Sequence, residues 1–328
     1  MIWRRRFRRS TLLLIFAVFA LIWAHNFSVR LLGSPAAHRA YQPSWRNTNH
    51  AKRLGKGDSE EKELVVASFE GADTRWLDMH FDTWKKNVYV VDNASAPLTV
   101  SVNKGREAMP FLTYIVDRYD SLPDVSIFIQ SPRYQWHNED PMYDGLPVLR
   151  RLRLEHVLKR GYVSLRCTWE KGCPAELTPL HPFYRNDDRS RTEQAYASVF
   201  RRLFPHDEVP GVVGAHCSSQ FAVSRARLRA RPKKQYERIR DWLVETDLDD
   251  AVSSRVLEYM WHIIFRMHAV DCQDAGECFC QTFGLCNLTC DREKCRNRYW
   301  VPNSRTMPEG WPETGPGSNG WPERWWAD

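Results

Sequence analysis

The stretch from 103 to 140 constrains the fold of this chain more than any other. It opens on a polar loop, Asn103-Lys104-Gly105-Arg106-Glu107. Apolar residues then recur at Ala108, Phe111, Leu112, Ile115, Val116 and Tyr119, the spacing of one helix face. Pro110 has no N–H and fits only in a first helical turn, so the helix starts near Glu107 or Ala108. Leu122-Pro123-Asp124 ends it, and Val125-Ser126-Ile127-Phe128-Ile129 follows as a short apolar run, the pattern of a strand buried on both faces. Directly after it come Gln130, Arg133, Gln135, His137, Asn138, Glu139 and Asp140. The carboxyl ends of strands form the ligand crevice of open α/β sheets, so this order builds a site.

Two earlier strands are legible in Leu64-Val65-Val66-Ala67-Ser68-Phe69 and Asn87-Val88-Tyr89-Val90-Val91-Asp92. Between them, Trp76, Leu77, His80, Phe81 and Trp84 fall at helical spacing. The order predicts an α/β domain with a mostly parallel sheet flanked by helices. Each strand runs into polar residues: Glu70 and Asp73, then Asp92 and Asn93, then Gln130 and Arg133. In a parallel sheet these share one edge. The helix start after Arg106 faces the same edge, where free N–H groups favour an anion, and Lys104, Arg106 and Arg133 add positive charge. The predicted ligand-binding set is Asp92, Asn103, Gly105, Arg106, Glu107, Gln130, Arg133 and Asn138. Its chemistry suits a phosphate or diphosphate.

Five arginines lie in the first nine residues, and no formal charge appears between positions 10 and 29. About 20 such residues suffice to span a bilayer. A cleaved signal peptide is the alternative, but Ile22-Trp23-Ala24 lacks a small residue at its first position and favours an uncleaved anchor. Arginines on the cytoplasmic side would leave the rest in the lumen, as a type II single-pass protein of the Golgi or another secretory compartment. The net charge of +7 falls to about +2 without those five arginines, which argues against a nucleic-acid partner. The expected organisation is a basic tail at 1–10, an anchor at 11–29, a flexible stem at 30–62 and a lumenal α/β domain at 63–270. A disulfide-rich segment at 271–296 and a Pro/Gly/Trp-rich tail at 297–328 complete it.

Sequons at Asn26, Asn93 and Asn287 agree with that compartment, Asn26 lying too close to the membrane for modification. Asn93 and Asn287 are the expected glycosylation sites. All nine cysteines follow residue 166, and six fall between 272 and 295 without paired Cys-x-x-Cys knuckles. An oxidising compartment favours disulfides over zinc for such a set. Cys167 and Cys173 flank a short loop and are placed to bridge locally; the odd total leaves one thiol over, with Cys217 the candidate.

Residues 145–161 read as one amphipathic basic helix, and 253–265 as another. On the second, Glu258 and His262 are four apart and share a face, either as a general-base pair or as a buried pair tying the helix to the sheet. The candidate catalytic residues are therefore His137, Asp140, Glu258 and His262.

The chain resembles a fungal family, the domain of unknown function 3431. The resemblance rests on Leu64-Val65-Val66-Ala67 with Trp76, Gly105-Arg106-Glu107 and the run from Tyr114 through Pro123-Asp124. It rests equally on Trp136-His137-Asn138 with Asp140, Gly161-Tyr162-Val163-Ser164-Leu165-Arg166-Cys167 and Gly172-Cys173-Pro174. Gln220-Phe221-Ala222-Val223-Ser224-Arg225 and Glu258-Tyr259-Met260-Trp261-His262-Ile263-Ile264-Phe265 complete it. The general layout is similar to that of Golgi-type glycosyltransferases with a nucleotide-sugar fold. That similarity implies a nucleotide-sugar donor, a hydroxyl acceptor and, in many such enzymes, a divalent metal at an Asp-x-Asp motif. No such motif follows residues 125–129, and Asp247-Leu248-Asp249 falls in a helix-linking loop. His137-Asn138-Glu139-Asp140 is the substitute, with His137 and Asp140 as ligands for Mn²⁺ or Mg²⁺, or with arginines in place of metal. The expected function is a lumenal glycosyltransferase; the alternative is a non-catalytic glycan- or partner-binding membrane protein of the same fold.

Overall fold

A computed structural model describes residues 61–184, 187–296 and 298. The expected basic tail, the anchor at 11–29, nearly all of the stem and the tail from 299 lie outside the described residues. Among the described residues no helix is long and apolar enough to cross a membrane.

The domain opens β1 (Lys62–Ser68), α1 (Arg75–His80), β2 (Lys85–Val90), α2 (Ala108–Arg118), β3 (Val125–Gln130). Next come α3 (Gly145–Arg151), α4 (Leu154–Arg160), β4 (Tyr162–Ser164) and α5 (Asp188–Leu203). The second half holds β5 (Gly214–Ala215), β6 (Phe221–Ser224), α6 (Arg225–Arg229), α7 (Lys233–Glu245), α8 (Asp250–Glu258), α9 (Trp261–Ile264), β7 (Val270–Asp271) and α10 (Ala275–Phe283). Five strands form the central sheet in the order β2-β1-β3-β6-β4, while β5 and β7 pair separately. β1 lies parallel to β2 and β3; β6 runs antiparallel to both β3 and β4. The carboxyl ends of β1, β2, β3 and β4 and the amino end of β6 thus meet on one rim.

Both faces of the sheet are buried, which explains the unbroken apolar runs. Along β3, Phe128 enters one core while Ile127 and Ile129 enter the other, the two-residue period of a strand. The first core takes α2, α5, α7, α8 and α9; the second takes α1, α3, α4 and α10. Phe111, Phe128, Phe221 and Trp261 meet within 6.2 Å between ring centroids across the first.

Three local expectations are corrected. The basic helix at 145–161 is two helices, α3 and α4, because Leu152 and Arg153 leave helical dihedrals (ψ 118° and 99°) and Arg153 N–H instead donates to Thr282 O of α10. The helix at 253–265 likewise ends at Glu258, and a new turn, α9, starts at Trp261. Cys167 and Cys173 do not bridge each other. α10 brings Cys278 to the first and the end of β7 brings Cys272 to the second. Cys280–Cys286 and Cys290–Cys295 are local, and Cys217 is the free thiol among the described residues.

Candidate functional site

The rim is organised by amide side chains at the ends of the two central strands. Gln220, just before β6, is buried; its Oε1 accepts from the Gln130 N–H at 3.3 Å and from Gln135 Nε2 at 3.4 Å. Its Nε2 donates to Asn138 Oδ1 at 3.0 Å. Asn138 Nδ2 in turn donates to Arg133 O and Tyr143 O, at 2.7 and 2.9 Å. These bonds fold residues 130–144 into a fixed cap over the strand ends. Asn138 is therefore a scaffold of the site.

The next turn of the cap explains why two carboxylates face inward. Asp140 Oδ2 accepts from the N–H groups of Met142 and Asp144, and the residue is fully buried. Glu139 accepts from Thr168 Oγ1 at 2.6 Å and lies 3.3 Å from Arg166 Nε. Arg166, at the end of β4, is equally buried and donates to Cys217 O and Trp136 O, both at 2.7 Å. One buried ion pair thus joins β4, the cap and the loop before β6. Among the described residues, no three His, Cys, Asp or Glu side chains group so as to hold a metal ion. Asp140 is held by two backbone N–H groups of the cap, and His137 by the Gln130 side chain.

His137 sits half-buried on the rim, its Nδ1 2.8 Å from Gln130 Oε1 and its ring 4.0 Å from that of Trp136. With the Gln130 oxygen as acceptor, Nδ1 carries the hydrogen and Nε2 keeps its lone pair. Burial, then the charges of Arg166 and Arg106, push its pKa down to about 3, so the ring is neutral at ordinary pH.

Glu258 closes the other side. It is partly exposed, and Cys217 Sγ donates to its Oε1 at 3.3 Å. Burial first and the neighbouring Glu107 second raise its pKa above the usual carboxylate range. Burial and the same carboxylate also push the Cys217 thiol far up, so the sulfur stays protonated. His262 is not its partner. Because α8 stops at Glu258, His262 turns inward, fully buried, with Nε2 3.0 Å from Ala269 O, and its pKa is lowered chiefly by burial.

Arg106 and Glu107 lead into α2 beside this carboxyl. Gly105 and Arg106 take left-handed dihedrals, φ 67° and 53°, an unusual conformation for a non-glycine residue. Arg106 is exposed, whereas its neighbours are engaged: Gly105 N–H donates to Asp250 Oδ1 at 2.8 Å and Lys104 Nζ donates to Thr246 O. Asn103 lies exposed at the head of the loop. Arg133 is held by Asp144 through two bonds of 2.9 Å on the side nearer α1, where its charge bears on His80. Of the three cations expected at the helix start, Arg106 is the one that remains turned to solvent. Asp92 is exposed after β2 and accepts from Glu70 N–H, and the half-buried sequon Asn93 donates to Glu70 Oε1. Asn287 is exposed beyond α10.

The rim thus gathers Gln130, Trp136, His137, Arg106, Glu107, Cys217 and Glu258. A family model described as "Protein of unknown function (DUF3431)" matches residues 64–281, from β1 into α10. The chain belongs to this family. The DUF3431 region contains the whole rim together with both long-range disulfides. Neither curated proteins nor solved structures give a match.

Sequence reasoning missed Arg166 and Gln220 as site builders. Gln220 precedes a strand instead of following one, and only the reversal of β6 brings it to the rim. The visible signal was a small-residue loop, 211–219, entering a strand with a lone large amide at the junction.

Proposed function

We propose that this chain is a membrane-anchored glycosyltransferase of the secretory pathway, using a nucleotide-sugar donor and a hydroxyl acceptor. One observation carries the reading. Glu258 is a rim carboxyl with a raised pKa, hydrogen-bonded by a neutral thiol, on the same edge as the exposed Arg106 at the start of α2. A general base works best with its pKa near ambient pH, and that criterion ranks the candidates. His137 is too weakly basic at about 3, and Asp140 is spent on backbone N–H groups. Glu258 takes the acceptor proton. Arg106 attracts the leaving diphosphate, and the paired Trp136 and His137 rings lie on the same rim within reach of its charge.

The layout of anchor, stem and α/β domain adds to this reading, as does the disulfide-bonded C-terminal segment. A second reading draws on Lys104 and Arg133 being engaged within the protein: a glycan-binding protein that keeps the rim without turnover. The test is nucleoside diphosphate release from a panel of nucleotide sugars, with and without Mn²⁺, with hydroxyl acceptors present. The transferase reading expects release for at least one donor and a loss of about 100-fold or more in Glu258→Gln. Release from no donor would leave the binding reading in its place.

A further inference from the structure

Besides Arg106, a second exposed cation reaches the rim. Lys171 Nζ lies 5.6 Å from the centre of the Trp136 ring, which also has the His137 ring at 4.0 Å and the Arg166 guanidinium at 5.3 Å. The backbone beneath Lys171 is pinned. Its carbonyl accepts from Cys217 N–H at 3.1 Å, Gly172 O accepts from Ala215 N–H at 2.9 Å, and Cys173 is bridged to Cys272. Gly172 is packed so closely that an added Cβ would run into Ala215 O. The same contacts fix the distance to Glu258, because Cys217 Sγ donates to Glu258 Oε1 at 3.3 Å. Bond lengths along Cys217 then put the Lys171 carbonyl within about 10 Å of that carboxyl.

The charges around it are matched unevenly. Arg166 is paired with Glu139, Arg133 with Asp144, and Lys104 Nζ is engaged by Thr246 O. Half-buried Arg255 bears on Glu258, and Glu107 lies near the same carboxyl. Glu176, near Cys217, is paired with Arg189 at 3.4 Å, and the exposed Glu170 bears on Tyr143. Arg106 and Lys171 remain exposed, and neither has a carboxylate at ion-pair distance among the described residues. The charge of Arg106 reaches the Trp136–His137 pair, since it helps to lower the pKa of His137. Both unmatched cations therefore bear on the same two rings.

We propose that Lys171 and Arg106 form a two-cation site for a pyrophosphate group at the Trp136–His137 pair, with Lys171 leaving the indole to bind it. The identity of the ligand, the diphosphate of a nucleotide-sugar donor, rests on the transferase reading. A diphosphate carries more negative charge than Arg106 alone balances. The neutral His137 and the paired Arg166 add none, so the balance falls to Lys171. A cation–π contact at an exposed site is weaker than a charge-assisted hydrogen bond to phosphate, so an arriving anion draws the ammonium off the ring. A point charge on a four-carbon stem, set on a pinned backbone, can follow the phosphate as it departs. The spacing to Glu258 leaves the transferred sugar between the two, with phosphate at Trp136 and acceptor hydroxyl at the carboxyl.

The experiment is calorimetric binding of inorganic pyrophosphate to the full-length protein, with orthophosphate and sulfate for comparison, in wild type, Lys171→Met, Lys171→Arg and Arg106→Ala. Lys171 is exposed and Met keeps its stem, so an unchanged Tm serves as the folding control. The proposal expects pyrophosphate to bind more tightly than either single anion. Lys171→Met and Arg106→Ala should each lose about tenfold, while Lys171→Arg keeps most of the affinity. Wild-type affinity in Lys171→Met or Arg106→Ala overturns it, as do equal losses in the Met and Arg variants, equal affinity for all three anions, or no pyrophosphate binding. Nucleoside diphosphate release separates this site from the function it serves. Pyrophosphate bound through both cations without turnover of any donor retains the site and removes the transferase reading. Turnover that Lys171→Met leaves at wild-type kcat and KM retains the transferase reading and removes Lys171 from it.

Discussion

At the scale of single residues, the groups proposed to perform chemistry differ from the groups that hold them. Cys217 is of the second kind: its S–H fixes one oxygen of Glu258. Cys217→Ser keeps a donor there and should retain most activity, whereas Cys217→Ala frees the carboxyl and should shift the acid limb of the pH–rate profile. A limb identical in all three proteins would separate Cys217 from the base. The Glu139–Arg166 pair is structural. Removing one member strands the other in a buried place, so Arg166→Met should cost about 3–5 kcal/mol in urea unfolding. Acid stability follows from two imidazoles shielded from water, the buried His216 and the half-buried His137. Burial lowers His216 to about 4 and is the largest cause at His137, about 3. An unfolded histidine takes its proton near 6.5, so below that pH the unfolded chain binds protons the folded chain refuses. Stability should be full above about 6.5 and fall as pH drops towards 4, and Tm against pH measures it. A Tm flat across that window would contradict the burial of these rings.

At the scale of elements, backbone geometry sets the loop before α2. Gly105 has φ 67°, and an added Cβ would lie 2.6 Å from Leu243 Cδ1 in α7. Gly105→Ala should therefore destabilise by about 1–3 kcal/mol, partly relieved by Leu243→Ala, as thermal unfolding would report. Much of this level was legible in advance. Pro110 placed the start of α2, and the apolar runs gave β1, β2 and β3. Continuous helical spacing hid two breaks. Leu152 and Tyr259 keep their helices' apolar pattern while their backbones leave it, since both are demanded by a core and not by the local chain. The second break parted Glu258 from His262. β6 was recognisable as a strand, but its direction depends on pairings such as Phe128 with Phe221, which no local pattern encodes. Cysteine spacing likewise carries no connectivity, so Cys167–Cys278 and Cys173–Cys272 became visible only with α10 and β7 in place.

At the scale of the whole molecule, those two bridges join the region around β4 to the C-terminal segment across 111 and 99 residues. The Cys173–Cys272 bridge also ties down residues 171–173, where the Lys171 and Gly172 carbonyls accept from the N–H groups of Cys217 and Ala215. Reduction, or Cys173→Ser with Cys272→Ser, should lower stability by roughly 4–5 kcal/mol in the chain-entropy account. Loss of activity should precede global unfolding, with intrinsic fluorescence following the fold. The proposed function depends at this scale on one edge of one sheet, with Arg106 assigned to the diphosphate and Glu258 to the acceptor. The most direct measurement is the thermal shift of the full-length protein with nucleotide sugars and nucleoside diphosphates, in wild type and Arg106→Ala. A ligand at about 100 times its Kd adds about 2.7 kcal/mol. The account predicts a Tm rise for at least one nucleoside diphosphate and its loss in Arg106→Ala. No rise with any nucleotide, or a rise that Arg106→Ala leaves intact, would contradict it.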